Sequence, residues 1–144
     1  MSGDRLGPSA VDSGFDVPMY ALSAVVYAER GDEILLLKRA EGTALAGQWF
    51  LPGGAVERGE LPQEGARREL LEEAGIEIDG DLELVGAYPM QAYGLDLIQL
   101  SYRGRVADGT DVVLSGEHDG VQWVRASEMR ALLSDDFIES LAAG

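Results

Sequence analysis

The sequence predicts a single domain of mixed α and β structure. The chain has 144 residues, the length of one ordinary domain, and 46% of them are hydrophobic, which is enough for one core. Apolar runs bounded by glycine and proline are typical of strands, and they outnumber the segments with helical periodicity. The sequence contains neither an internal repeat nor a linker. We therefore expect one domain over residues 19–144, preceded by a flexible lead-in over residues 1–18.

Six segments have the composition of strands, and two of them are joined by a tight turn. Gly31 and Asp32 are typical of a hairpin turn, and Pro52-Gly53-Gly54 predicts a second turn. The predicted strands are residues 20–28, 33–37, 49–51, 82–88, 95–106 and 121–124.

Three segments are predicted to be helical. The central one is Pro62–Ala74, because proline suits a first helical turn and Gly75 suits a C-terminal cap. A second helix is expected over residues 126–133, with Ser127 as its cap, and a last short one over residues 137–142.

The charge and the apolar pattern of the chain argue against two classes of partner. The formal net charge is −15, from 26 acids and 11 bases, whereas a protein that grips a nucleic-acid backbone usually carries the opposite sign. No apolar run approaches the length that spans a bilayer, and the N-terminus lacks the pattern of a secretory signal. We therefore expect no duplex nucleic acid and no membrane as partner, and a cytoplasmic location.

Cysteine and histidine usage limits the metal chemistry. The chain has no cysteine and one histidine, His118, which excludes disulfides, thiolate metal sites and a multi-histidine zinc site within one chain. Any metal must be held mainly by oxygen ligands, which suits Mg²⁺ or Mn²⁺.

The central helix carries an acidic face that local physics disfavours. At 100° per residue, an arc of about 80° is apolar and a separate arc of about 100° is acidic. Like charges at these spacings repel, and the helix dipole disfavours acids in the last turn. A bound divalent cation would make such clustered carboxylates favourable. The simpler alternative is a solvated acidic face that Arg67 and Arg68 partly neutralise. The apolar residues are Ala66, Leu70 and Ala74, and the acids are Glu69, Glu72 and Glu73.

The residues around this helix resemble the Nudix box at every specified position. The match spans residues 54–76 and uses seven fixed residue types and two aliphatic positions, so a chance match is about 10⁻⁹ per starting point. The resemblance implies an α/β/α sandwich with a mixed central β-sheet from residue 20 onward. The matched residues are Gly54, Glu60, Arg68-Glu69-Leu70, Glu72-Glu73 and Gly75-Ile76.

The Nudix resemblance implies hydrolysis, by water, of a nucleoside diphosphate linked to another group. Glu69, Glu72 and Glu73 would bind Mg²⁺, or else Mn²⁺, with the Gly53 carbonyl completing the shell. Arg68 would orient Glu60 and Glu69 through a forked salt bridge. The base is a box glutamate or else Glu117, a loop acid before the last predicted strand, which is also a candidate metal ligand.

Three residues outside the box are candidates for substrate binding. Arg39 could contact a phosphate, although basic residues also simply end strands. Phe50 could stack on a base, although an aromatic beside a turn more often lies in the core. Tyr93 follows the box, where family members carry specificity residues. His118 is expected at the surface.

Two other functions compete with hydrolysis. One is a Nudix-fold module that senses a nucleotide or binds a partner without catalysis, and the other is an acidic interaction protein. Members of the first group usually lose box acids, whereas all of them are present here. The small-molecule nucleotide that the resemblance implies is therefore expected as a substrate. A monomer and a homodimer both stay open.

Overall fold

The computed structural model describes residues 16–92 and 94–133. The predicted helix over residues 137–142 and most of the predicted lead-in lie outside the described residues. Within the described part the chain forms seven strands and two helices. In chain order these are β1 (Ala21–Arg30), β2 (Glu33–Arg39), β3 (Trp49–Phe50), β4 (Gly53–Ala55), α1 (Pro62–Ala74), β5 (Asp79–Ala92), β6 (Leu95–Arg105), β7 (His118–Arg125) and α2 (Ala126–Met129).

The strands form one mixed sheet whose main path runs β3-β2-β1-β6-β5, with β4 on β1 and β7 on β2. One edge of β1 is shared, because its first half pairs with β4 and its last residues pair with β2 beyond the predicted Gly31-Asp32 turn. The other edge of β1 pairs in parallel with β6, from Ala21 opposite Leu97 to Glu29 opposite Arg105. A parallel pair needs a long crossover, and α1 lies within it.

Alternate side chains of the central strands enter two cores on opposite faces of the sheet. On one face, Val26 and Leu37 pack with Leu70 of α1. On the other face, Leu36 packs with Met129 of α2. The strand period of two produces this division. The predicted α/β/α sandwich with a mixed central sheet is confirmed.

Helix α1 has the predicted bounds and ends. Pro62 is its first residue, and Gly75 adopts the left-handed conformation at φ 67°, with its N–H donating to the Leu71 carbonyl. The Glu64 side chain accepts a hydrogen bond from the Leu61 N–H at 3.0 Å, which satisfies one free donor of the first turn.

The prediction of a turn at Pro52-Gly53-Gly54 is wrong, because the two glycines lie in a strand. Both belong to β4, where Gly53 lies opposite Val25 and Gly54 opposite Ala24. A Cβ on Gly53 would lie 2.3 Å from the Ala24 carbonyl oxygen, so glycine is needed for this close approach of two strands. The local turn signal is overridden by a partner strand about 30 residues away in the chain.

The second helix is shorter than predicted, and Ser127 does not cap it. Helix α2 covers Ala126–Met129 and begins after Arg125, without a side-chain cap. The chain then leaves the helix because Leu133 forms a β-bridge with Trp49 and is buried. Within the described part, no helix is long and apolar enough to cross a membrane.

Candidate active site

Two glycines of β4 allow the acids of α1 to approach the sheet closely. The Gly53 N–H donates a hydrogen bond of 2.9 Å to Glu73 Oε1. Beside it, a Cβ on Gly54 would lie 2.6 Å from Glu69 Oε1. Because neither glycine carries a side chain, the carboxylates of Glu69 and Glu73 lie directly against the backbone of β4.

Arg68 joins the acids of the loop to those of the helix. Its Nε and Nη2 atoms each donate a hydrogen bond to one carboxylate oxygen of Glu60, at 2.8 Å and 3.1 Å. Its Nη1 donates to Glu69 Oε1 at 3.1 Å and reaches Glu72 at 3.3 Å, and Nη2 also donates to the Ala55 carbonyl. The hydrogen bond from Arg68 lowers the pKa of Glu60. This fork holds Glu60 as a charged acceptor.

Burial penalises charge on the two inner acids. Glu73 is 7% exposed, and this burial raises the pKa of its carboxyl from 4.5 to about 8, against the opposing hydrogen bond from Gly53. Burial likewise raises the pKa of Glu69, against the hydrogen bond from Arg68. The negative charge of Glu69 adds to the effect on Glu73. Two adjacent carboxylates that resist ionisation are stabilised when a cation binds between them.

The start of β7 and the loop before it bring His118 and Glu117 close to Glu73. The Glu117 carbonyl accepts a hydrogen bond from the Ala40 N–H at 2.9 Å, and its exposed carboxylate lies 3.5 Å from Arg39. His118 begins β7 opposite Arg39. Glu73, Glu117 and His118 each offer one ligand atom, and these atoms all lie within 4.8 Å of one another.

The expectation that His118 lies at the surface is wrong, because it is 7% exposed. Burial and the nearby positive charge of Arg39 lower the pKa of its imidazole. The one sequence signal that could have found it is its position directly after Glu117, at the start of a strand with a buried face. The pairing of β7 with β2 decides its burial, and this pairing is not local.

A pocket of about 620 Å³ opens beside these groups. Of the predicted residues, Arg39, Phe50, Gly53 and Glu73 line it, together with His118. Most of its remaining wall is apolar, and four polar residues that the sequence analysis did not single out also line it. The unpredicted polar lining residues are Ser23, Gln48, Gln91 and Gln99.

The structure therefore gathers most of the predicted residues but not all of them. One hydrogen-bonded group consists of Glu60, Arg68 and Glu69. A second hydrogen bond links Gly53 to Glu73, and both of these residues line the pocket. Glu72 and Glu117 also reach the site, but their side chains are more exposed, at 57% and 64%. Tyr93 lies outside the described residues.

An acid-rich centre beside a nucleotide-sized pocket, carried by an α/β/α sandwich, defines the class of protein, and comparisons agree. The NUDIX domain family pattern matches residues 17–141. A MutT-like protein of Streptomyces ambofaciens is 31% identical over 119 residues, which are 82% of this chain and 72% of that protein. A Mycobacterium tuberculosis protein with the provisional name 8-oxo-dGTP diphosphatase 2 is 34% identical over 106 residues, which are 67% of this chain and 75% of that protein.

Solved structures show the same fold. The crystal structure of the MutT protein from Methanosarcina mazei Go1 superimposes with a TM-score of 0.74 and 30% identity, and covers 86% of this chain and 91% of that one. The chain belongs to the Nudix family. It is a pyrophosphohydrolase.

Proposed function

We propose that this protein hydrolyses a diphosphate bond of a small nucleoside diphosphate derivative, with a divalent cation held by α1. One observation supports this above the others: the buried Glu73 and the half-buried Glu69 lie against β4, at the edge of a pocket of about 620 Å³. Buried acids without a cation are costly, and a pocket of this volume suits a nucleotide.

The residues fit a hard cation, since their donor atoms are oxygens. Glu69, Glu72 and Glu73 would hold Mg²⁺ or Mn²⁺, with the Gly53 carbonyl and Glu117 as further ligands. When bound, such a cation neutralises charge on the diphosphate oxygens and lowers the pKa of coordinated water.

Side chains of the protein orient the carboxylates and accept the proton of the attacking water. Arg68 positions Glu60 and Glu69 through the fork and keeps their carboxylates from turning away. The oxygen of the attacking water forms a bond to phosphorus, the phosphorus–oxygen bond of the anhydride breaks, and the leaving phosphate departs with its electron pair. The proton of the water passes to a carboxylate, for which Glu73 and Glu117 are the two candidates.

The pocket supports a nucleotide as substrate. Arg39 lies at the pocket wall with its Nε hydrogen-bonded to the Ala44 carbonyl, so its charge is held where a phosphate could bind. Phe50 offers an aromatic surface for a base. The provisional name of the Mycobacterium tuberculosis relative favours nucleoside triphosphates, including oxidised ones, as the first class to test. Nucleotide sugars, ADP-ribose and dinucleoside polyphosphates are the other classes.

The test is a turnover assay with one compound from each class. Products are separated by chromatography in the presence of Mg²⁺, and the same reaction in ¹⁸O-water identifies the phosphorus that is attacked. We expect turnover of one class, lost in Glu73→Gln. The control is Glu77→Gln, which makes the same chemical change at an exposed residue outside the site and should keep full activity. Equal activity of Glu73→Gln and the native protein would overturn the proposal.

A further inference from the structure

His118 is a buried polar side chain that the proposed chemistry leaves unused. It is the only histidine of the chain and is 7% exposed. Among residues 16–92 and 94–133, its Nδ1 atom has no hydrogen-bond partner. Buried polar atoms in folded proteins almost always have a partner, so a nitrogen without one indicates that something else binds there.

The groups around His118 indicate that this partner is a metal ion. One ring nitrogen of His118 and one carboxylate oxygen each of Glu73 and Glu117 all lie within 4.8 Å of one another. Two ligands of one ion at about 2.1 Å can be up to about 4.2 Å apart, so small side-chain rotations would bring all three to a common centre. Two other charged side chains act on His118: Arg39 is directed to the Ala44 carbonyl and to Glu117, and Asp119 pairs with Lys38.

The backbone holds His118 in this place independently of any ion. Residue 118 starts β7 and lies opposite Arg39, next to a register shift in the ladder between β2 and β7. The preceding residue, Glu117, accepts a hydrogen bond through its carbonyl from the N–H of Ala40, the residue that follows β2. A ligand carried by a strand is preorganised, because little ordering is left to occur on binding.

We propose that His118 supplies a nitrogen ligand to the cation held by Glu73 and Glu117, so that this site binds a first-row transition-metal ion more tightly than Mg²⁺. Imidazole nitrogen suits Fe²⁺, Ni²⁺ and Zn²⁺, whereas Mg²⁺ prefers oxygen; Mn²⁺ also favours oxygen but is paramagnetic, so it can report a bound nitrogen. The inference rests on the metal site of the proposed function but is independent of the substrate.

The single histidine makes a direct test available. Protein without a histidine tag is prepared twice, once unlabelled and once with ¹⁵N only in histidine, and each sample is loaded with Mn²⁺. Pulsed electron paramagnetic resonance then detects nitrogen bound to the ion. We expect the coupling to change from ¹⁴N to ¹⁵N in the labelled sample. Identical spectra from the two samples would overturn the proposal.

Variants extend the test to affinity. His118→Phe keeps a buried ring but removes the nitrogen. It should raise the Kd for Ni²⁺ by about tenfold or more, since loss even of a residue that only supports a metal ligand has an effect of that size. The Kd for Mg²⁺ should change by less than about threefold. Asp119→Asn is the control, because Asp119 is the next residue and pairs with Lys38 instead. Equal weakening of both ions by His118→Phe would contradict the proposal.

Two failures remain distinguishable. Turnover of a nucleotide with Mg²⁺ but no histidine coupling to Mn²⁺ overturns this inference and leaves the proposed function standing. Histidine coupling with no turnover of any substrate class supports this inference and overturns the proposed function. Circular dichroism of His118→Phe checks that its fold is intact, and the labelled native protein needs no variant at all.

Discussion

Glu73 and Gly53 are 20 residues apart in the chain, yet the glycine N–H donates a 2.9 Å hydrogen bond to the glutamate carboxylate. This bond joins α1 to β4 and fixes one acid of the centre against the sheet. The neighbouring contact of Gly54 with Glu69 does the same for the second acid. The two glycines therefore differ in what a side chain would meet, and this difference can be tested.

Gly53→Ala and Gly54→Ala should fail in different ways. A Cβ at residue 53 meets the Ala24 carbonyl at 2.3 Å, which is backbone that cannot move cheaply, so the free energy of unfolding should fall by about 1–3 kcal/mol. A Cβ at residue 54 meets only the end of the Glu69 side chain, which can move. Gly54→Ala should therefore weaken metal binding while changing the free energy of unfolding little. Urea unfolding and calorimetric metal titration measure the two quantities.

Gly116→Ala is the matched control for both glycine variants. Residue 116 lies in the loop next to the site, and a Cβ there meets nothing within 4 Å. Both stability and metal affinity should stay unchanged. Equal loss of stability in Gly53→Ala and Gly54→Ala would contradict the assigned contacts.

Stability of the metal-free protein should depend on pH through Glu73. Its pKa is about 8 when folded, against 4.5 as its ordinary value. Between these values the folded state binds more protons than the unfolded state, so stability falls as pH rises, with a slope of at most about 1.4 kcal/mol per unit. Thermal melting from pH 5 to 8 in a chelator should show this fall, and Glu73→Gln should flatten it.

Added divalent cation should stabilise the protein more at pH 8 than at pH 5. The cation requires ionised carboxylates, so its binding must release the proton that Glu73 holds in the metal-free protein. Calorimetry in two buffers of different ionisation enthalpy measures the protons released. Binding without proton release near pH 7 would show that Glu73 is already ionised.

Arg68→Lys should lower kcat strongly while changing the free energy of unfolding little. Lysine keeps the charge but cannot bind both Glu60 oxygens and Glu69 together, so the carboxylates lose their orientation. A misplacement of about 1 Å can cost on the order of 100-fold in rate, and we expect a loss in kcat of that order. Steady-state kinetics measure it.

The adjacent arginine provides the control for that variant. Arg67 binds the Ile78 and Gly80 carbonyls and contacts no acid of the site in the described residues. Arg67→Lys should therefore change stability modestly and leave kcat close to that of the native protein. Similar losses of kcat in both variants would contradict the role given to Arg68.

Leu70→Ala should destabilise the fold through the core under α1. Leu70 is fully buried among residues of β1, β2 and α1, and such a truncation costs about 2–5 kcal/mol. Leu71→Ala is the comparison, because Leu71 is 48% exposed on the same helix and should change stability by about 0.5 kcal/mol or less. Denaturant unfolding of both variants gives the difference.

The sequence alone determined the features that depend on short spacing. Helix α1 has its predicted bounds because Pro62 and Gly75 act on their own turns, and its apolar face follows from a period of 3.6 residues. The box acids were found by the same kind of spacing, and the family followed from them.

Only the tertiary structure decided where strands meet. The pairing of β4 with β1 turned a predicted turn into a strand, and the pairing of β7 with β2 placed His118 inside rather than outside. Strand partners are chosen by contacts between distant segments, and a period of two does not state which face will be covered. The closeness of Glu73, Glu117 and His118, and the pocket beside them, arise from this long-range choice.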